Sequence, residues 1–269
     1  MTELPHLHFD HDAVTGFGAL LERFGPRAFA SPYRSTTPLL ALTKDAWPVF
    51  DSILAECGSE ADCTVHFEYK THLPNVDGNP SQTDAMVLSA TSAVAVEAKW
   101  TEPRYETVST RLKGRVAALS KEDPHNVKLH ETSQRAVIQA WLDLLQPLSR
   151  GQIQIEDVGD VVYQVIHRAA SARATSRNPR LVYLHFRSSP AIGAAASDYR
   201  NDLDRLHAVL GHPPDFPFYV VDLPVEPTRA FRAIESLKKG TTETDQRVRE
   251  AIRSSCLFNF GIPTIERIG

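Results

Sequence analysis

The sequence predicts an α/β fold, a mixed central sheet with helices on its faces. Two apolar runs rich in small and β-branched residues, "TDAMVLSA" and "SAVAVEAKW", follow one another almost without a gap, as the strands of an antiparallel hairpin do. Downstream, the buried-strand runs "RLVYLHFR" (180–187) and "FPFYVVDLP" (216–224) alternate with helical patterns, the arrangement of crossover connections. With 42% hydrophobic residues in a chain of 269, there is enough apolar material for a full core.

The elements follow in order. Residues 1–37 read as an irregular arm around one short amphipathic helix, "DAVTGFGALLERFG". "TKDAWPVFDSILAECG" (43–58) is a helix with Thr43 as its cap, Trp47, Phe50, Ile53 and Leu54 at helical spacing, Pro48 near its first turn and Gly58 as its stop. "CTVHFEYKTHL" (63–73) alternates as a strand, Val65, Phe67 and Tyr69 on one face and His66, Glu68 and Lys70 on the other. "PNVDGNPSQ" is a turn cluster before the hairpin.

Residues 101–157 are more polar and read as a helical insertion holding one clear helix, "ETSQRAVIQAWLDLLQPL". A helix over 158–176 has Val161, Val165, Ala169 and Ala172 on one stripe, and 197–211 is a helix closed by Gly211. Pro224 ends the last buried strand. Helices over 226–239 and "TDQRVREAIRSS" and an extended "LFNFGIPTIERI" form a C-terminal extension over 225–269. The whole reads as a single domain, 1–269.

The net charge of −4 excludes a globally basic binder, so nucleic-acid contact requires a local basic face. Cys57, Cys63 and Cys256 form no CxxC pair and no disulfide framework; they read as reduced thiols of a cytoplasmic protein. "MTELPHLHFDHDAV" lacks the basic and apolar blocks of a signal peptide, and no window approaches about 20 uninterrupted apolar residues, so no membrane partner is expected. There is no Gly-rich phosphate loop and no nucleophile elbow. The His/Asp tract His6–Asp12 matches no ligand geometry and reads as a polar terminus.

The hairpin carries three charges where a core strand normally carries none. Glu97 and Lys99 share a face with Ala93 and Ala95, while Val94, Val96, Ala98 and Trp100 point the other way. Asp84, on the face of Met86 and Leu88, starts the partner strand and lies beside Glu97 if the register brings those ends together. Two close carboxylates repel unless a cation neutralises them. Such oxygen ligands suit Mg²⁺, with Mn²⁺ fitting the same donors. A lysine beside them can orient a water or stabilise developing negative charge, a combination suited to phosphodiester hydrolysis. The alternative is a salt-bridged strand end.

"TD" at 83–84 and "EAK" at 97–99 resemble the signature of the PD-(D/E)xK nucleases, with Thr83 in place of the proline. "VVYQVIHRAASA" resembles the Gln-bearing helix of the exonuclease-like branch, and "VEAKWTEP" with "YQVIHRAASA" is similar to a group of uncharacterised bacterial proteins classed with the restriction endonucleases. The resemblance spans roughly 38–224. It implies a restriction-endonuclease-like αβββαβ core and a metal-dependent nuclease acting on DNA in restriction, defence or repair. Asp84 and Glu97 would hold Mg²⁺, Lys99 would position the attacking water, and Gln164 would orient a ligand or the lysine. The family's helix-one acid falls on Glu56, with Glu68 close behind. Many such nucleases form homodimers to cut both strands. A catalytically inactive member that binds nucleic acid or a protein is the alternative. The basic tract 167–180 holds His167, Arg168 and Arg173; with Arg104, Arg111, Lys113 and Arg115 it supplies candidate phosphate contacts. A solvated helix face is the plain reading of the same tract.

Overall fold

The computed structural model describes residues 6–74, 79–119, 124–175, 178–189 and 193–269, with side chains described outside 115–131. The chain begins with β1 (His6–Phe9), β2 (Asp12–Ala13), α1 (Phe17–Arg23), α2 (Thr36–Asp45) and α3 (Trp47–Glu56). It continues through β3 (Thr64–Thr71), β4 (Ser81–Leu88), β5 (Ser92–Lys99), α4 (Val108–Leu119), α5 (Pro124–Leu145) and α6 (Tyr163–Ala174). It ends with β6 (Asn178–Arg187), α7 (Ala196–Val209), β7 (Phe218–Pro227), α8 (Arg229–Arg232), α9 (Thr242–Ser254), β8 (Phe258–Phe260) and β9 (Thr264–Ile268).

The strands form one mixed sheet in the order β2-β1-β3-β4-β5-β6-β7-β8, with β9 also on β7. β4 pairs antiparallel with both β3 and β5 in a meander, and β5, β6 and β7 run parallel. One face packs Val94, Val96, Ala98 and Trp100 against α1–α3, α8 and α9; Trp100 lies among the rings of Tyr33, Phe231 and Phe258. The other packs Met86, Ala93, Ala95 and Leu181 against α4–α7. Small side chains on β5 are needed there because α6 lies directly over them, burying Val165, Ala169 and Ala172. Among the described residues no helix is long and apolar enough to cross a membrane.

Several elements differ from the sequence reading. The arm over 1–37 supplies β1 and β2: β1 is parallel to β3, with Leu7 buried against it. Four residues are too few to show a strand pattern; the open edge of β3 imposes it. The helix expected over 43–58 is two helices that break at Ala46 (φ −139). Pro48 has no N–H to donate and its ring blocks the carbonyl four residues back. Thr43 is therefore no cap; its hydroxyl donates to the Leu39 carbonyl at 3.0 Å within α2.

The insertion holds a second helix, α4, and α6 starts later than expected, after an extended Val162 whose neighbour Tyr163 donates to the Glu106 carbonyl. β7 runs through Pro224 to Pro227, where β8 pairs with it, and only the short α8 stands in place of a helix over 226–239. Part of the expected turn cluster (75–78), Ser176 and Arg177 of the basic tract, and the Arg115 side chain lie outside the described residues.

Candidate active site

The C-terminal ends of β3, β5, β6 and β7 and the start of β4 share one edge of the sheet. The pairs Phe67↔Ala85 and Tyr69↔Thr83 bracket Glu68 opposite Asp84, and Ala85↔Val96 places Asp84 next to Glu97. Glu97 pairs in turn with Tyr183, and two residues on Lys99 pairs with His185, which pairs with Asp222. The register thus sets Glu68, Asp84, Glu97 and Tyr183 in one row across four strands. Asp84 also joins the backbone ladder: its Oδ2 accepts the Ala98 N–H at 2.8 Å. This fixes the carboxyl beside Glu97.

Glu68 sits at φ 55, a conformation L side chains rarely adopt. It interrupts the alternation of β3, so Tyr69 packs with the α4–α7 side and against His66, while Val65 and Phe67 stay on the other face. The expected grouping of Tyr69 with Val65 and Phe67 is corrected by this turn of the backbone.

Glu97 is 2% exposed and Lys99 3% exposed, so each must be paired. Glu97 Oε1 accepts from Lys99 Nζ at 2.8 Å and from Gln164 Nε2 at 2.7 Å, and Oε2 accepts from Arg168 Nε. Gln164 and Arg168 are one helical turn apart on α6, so both reach the same carboxylate. Arg168 Nη1 also donates to Ser81 Oγ at 2.8 Å and to His167 Nδ1 at 3.1 Å. Because arginine only donates, Nδ1 of His167 is an acceptor, and the Ser81 hydroxyl is free to donate to it at 2.9 Å. The exposed Tyr105 ring covers Lys99, 4.7 Å from Nζ.

The charges follow from this packing. Burial works to raise Glu97, but Arg168 and Lys99 outweigh it and hold its carboxyl below the usual range. Asp84 is pushed well above the usual range by burial and by Glu97, against the pull of Arg168 and Lys99. Burial, with the nearby Glu97 adding to it, pushes Glu68 up to about 7. Burial would lower Lys99, yet Glu97 and Asp84 hold it above its ordinary value, so it is an ammonium. Burial and Arg168 push His167 well below its ordinary value, in accord with its role as acceptor. Carboxylates outnumber cations here, so Asp84 and Glu68 are both raised while Glu97 is lowered.

The sequence-predicted residues divide sharply. Asp84, Glu97, Lys99 and Gln164 converge. Of the two further acids, Glu68 joins them, whereas Glu56, placed ahead of it, is exposed at the end of α3 beside Cys57, near the start of β6 on the opposite edge of the sheet. The expected nucleic-acid contacts are largely corrected. Arg104 is spent on a bidentate pair with Asp202 of α7. Arg168 is buried on Glu97, and His167 is turned to Ser81. Arg173 lies nine residues after Gln164 on α6, about 14 Å along the axis and away from the row. Lys113 remains exposed on α4. Arg168 as a partner of Glu97 was missed, although its i, i+4 spacing from Gln164 was visible. Ser81 and Tyr183 carried no signal outside the register.

The donor chemistry bears on a metal. Among the described residues no group of three or more His, Cys, Asp and Glu is set to hold an ion. Two carboxylates remain: Asp84 Oδ1 is free of the Ala98 bond, and Glu97 Oε2, with one donor, keeps a lone pair. Mg²⁺ takes one or two carboxylates and completes its shell with water and phosphate, so this set fits it.

These features define a mixed α/β protein whose buried carboxylate–lysine cluster lies at the C-terminal edge of its parallel strands. The chain belongs to the family described as "Domain of unknown function (DUF6946)", whose model matches residues 18–216. No curated protein and no solved structure matches it.

Proposed function

We propose that this chain is a metal-dependent nuclease that hydrolyses DNA phosphodiester bonds, with a restriction-endonuclease-like core. The observation that carries the reading is the convergence of Asp84, Glu97 and Lys99 at one sheet edge with Gln164 above them. The element order α3-β3-β4-β5-α6-β6, with α4 and α5 inserted between β5 and α6, supports it, since it brings both halves of the motif onto neighbouring strands.

Asp84 and Glu97 would hold Mg²⁺, or Mn²⁺, and the ion when bound supplies Lewis acidity and an acidified water. The chain's own groups do the rest. Lys99 is protonated, so it donates a hydrogen bond to the attacking water or to a phosphate oxygen and does not take a proton. Gln164 holds Glu97 Oε1 from the side opposite the strand and so fixes the carboxylate that Lys99 also grips. Tyr105 shields the ammonium from bulk water.

Plasmid and linear DNA incubated with Mg²⁺, Mn²⁺ or EDTA, beside Lys99→Ala and Glu97→Ala, tests this. Metal-dependent cleavage that falls by about 10²-fold or more in both variants is expected. No cleavage by the folded wild-type protein with either metal overturns it. One observation favours a second reading, a catalytically inactive nuclease-fold protein that binds nucleic acid or a protein partner: Glu97 is already neutralised by two cations, Lys99 and Arg168. DNA binding without cleavage in the same experiment selects that reading.

A further inference from the structure

On the Glu68 side of the carboxylate row a cleft of about 360 Å³ opens between the 24–34 segment and the sheet edge. Its wall carries Arg27 and Arg34, and it meets the row at Glu68 and Gln82. Five other cations among the described residues are committed: Lys99 and Arg168 to Glu97, Arg104 to Asp202, Arg187 to Asp222, and Lys70 to Asp10. Arg27 and Arg34 form no ion pair among the described residues, and Arg34 makes only a 3.4 Å bond to the Ala28 carbonyl. Both are exposed. Arg27 keeps its long side chain at φ 75, where glycine is the natural occupant.

The two flanks of the site therefore differ. Beyond Lys99, Asp222 takes His185 at 2.8 Å and Arg187 at 2.7 Å, which leaves that guanidinium neutralised. On the Glu68 flank two guanidinium groups line a cleft whose acid, Glu68, forms an ion pair with neither, although Arg34 is near enough to draw its carboxyl downward against burial. A guanidinium fork matches phosphate oxygens in shape and charge.

We infer that Arg27 and Arg34 seat a backbone phosphate of the polynucleotide in this cleft and so set the strand's path from the Glu68 side across Asp84 and Glu97. This rests on the nuclease reading. The two arginines are positioning residues, one or more nucleotides away from the bond to be cut.

The test uses the full chain in EDTA and a fluorescein-labelled DNA duplex, with anisotropy followed across salt concentrations. Wild type is compared with Arg27→Gly/Arg34→Gln, whose glycine suits the backbone at 27, and with Arg27→Lys/Arg34→Lys; thermal melts verify folding. Loss of two phosphate contacts makes the salt slope shallower by about 2 and weakens binding roughly 60-fold near 0.1 M salt, while the lysine pair keeps most of the slope. With Mg²⁺ added, the neutral variant shows a raised KM with kcat near that of wild type. Unchanged affinity, slope and KM in the neutral variant, beside a wild type that binds and cleaves, overturns the inference and leaves the nuclease reading standing. A folded wild type that neither binds DNA nor cleaves it with either metal overturns both. If inorganic phosphate raises the melting temperature of wild type but not of the neutral variant, and DNA is not bound, the cleft is a free-anion site and the polynucleotide assignment fails.

Discussion

Removing Arg168 tests the centre of the site without reference to any substrate. Arg168 is 7% exposed and Glu97 2%, and the pair is reinforced by Ser81 and His167 on the arginine and by Gln164 and Lys99 on the carboxylate. Truncating one member of a buried ion pair costs about 3–5 kcal/mol, because the remaining charge keeps its desolvation penalty. Arg168→Met should therefore destabilise the metal-free protein by that amount, and Glu97→Gln by a similar amount, since it leaves two cations facing each other. The double variant leaves Lys99 with Asp84, a balanced pair, so its loss should fall short of the sum by about 2–3 kcal/mol. Urea unfolding followed by tryptophan fluorescence reads this directly, because Trp47, Trp100 and Trp141 are all buried. Losses that add within about 0.5 kcal/mol, or an Arg168→Met cost below about 1 kcal/mol, would show that Arg168 points elsewhere and that Glu97 is not held from α6.

Two further predictions concern the flanks. The Glu68 carboxyl, at about 7 in the folded chain and near its ordinary value when unfolded, makes the folded state bind more protons between about pH 4.5 and 7. Its contribution to stability is therefore complete below that window and declines as pH rises through it. Glu68→Gln should remove this decline and gain about 2–3 kcal/mol over wild type at pH 8 in EDTA, measured by urea midpoints across pH; parallel pH profiles for the two proteins would refute it. Arg104→Gln breaks the pair with Asp202, which is 1% exposed, and should lower the urea midpoint while leaving the DNA salt slope unchanged. A shallower slope in that variant would return Arg104 to the nucleic-acid surface.

The hairpin was legible because strand alternation is strict: with β5 named, the faces of Glu97, Lys99 and the valines follow. The meeting of Asp84 with Glu97 was not, since one residue of register decides it and only the ladder supplies that. Glu56 was misplaced for a related reason. The resemblance points to an acid of the first helix, but α3 ends at the start of β3, so Glu56 falls at the far end of the strand from the site. The candidate phosphate contacts were harder to place because sequence shows charge but not what neutralises it. Arg104 finds Asp202 98 positions away, and Arg168 finds Glu97 71 positions away. The left-handed turn at Glu68 also left no mark, since neither glycine nor asparagine occupies it.

Arg168 and a divalent cation would draw on the same carboxylate, and this makes the metal question answerable without an activity assay. In wild type the negative charge of Glu97 is shared between Lys99, Arg168 and Gln164, while burial and the neighbouring Glu97 push Asp84 well above the usual carboxylate range. Arg168→Met leaves Asp84 and Glu97 with a single cation, so their demand for an external one rises. A ligand that binds only the folded state stabilises it by RT ln(1 + [L]/Kd), about 2.7 kcal/mol at 100 times Kd. Mg²⁺ should therefore restore more stability to Arg168→Met than it adds to wild type, and Asp84→Asn introduced into each should abolish the difference. Magnesium titrations of the urea midpoint for these proteins read the effect, with NaCl at matched ionic strength as the control. If Mg²⁺ shifts none of the midpoints, the two carboxylates do not hold the ion and the cluster is a self-neutralised ion-pair network. If it shifts wild type and Asp84→Asn alike, the ion binds elsewhere on the chain.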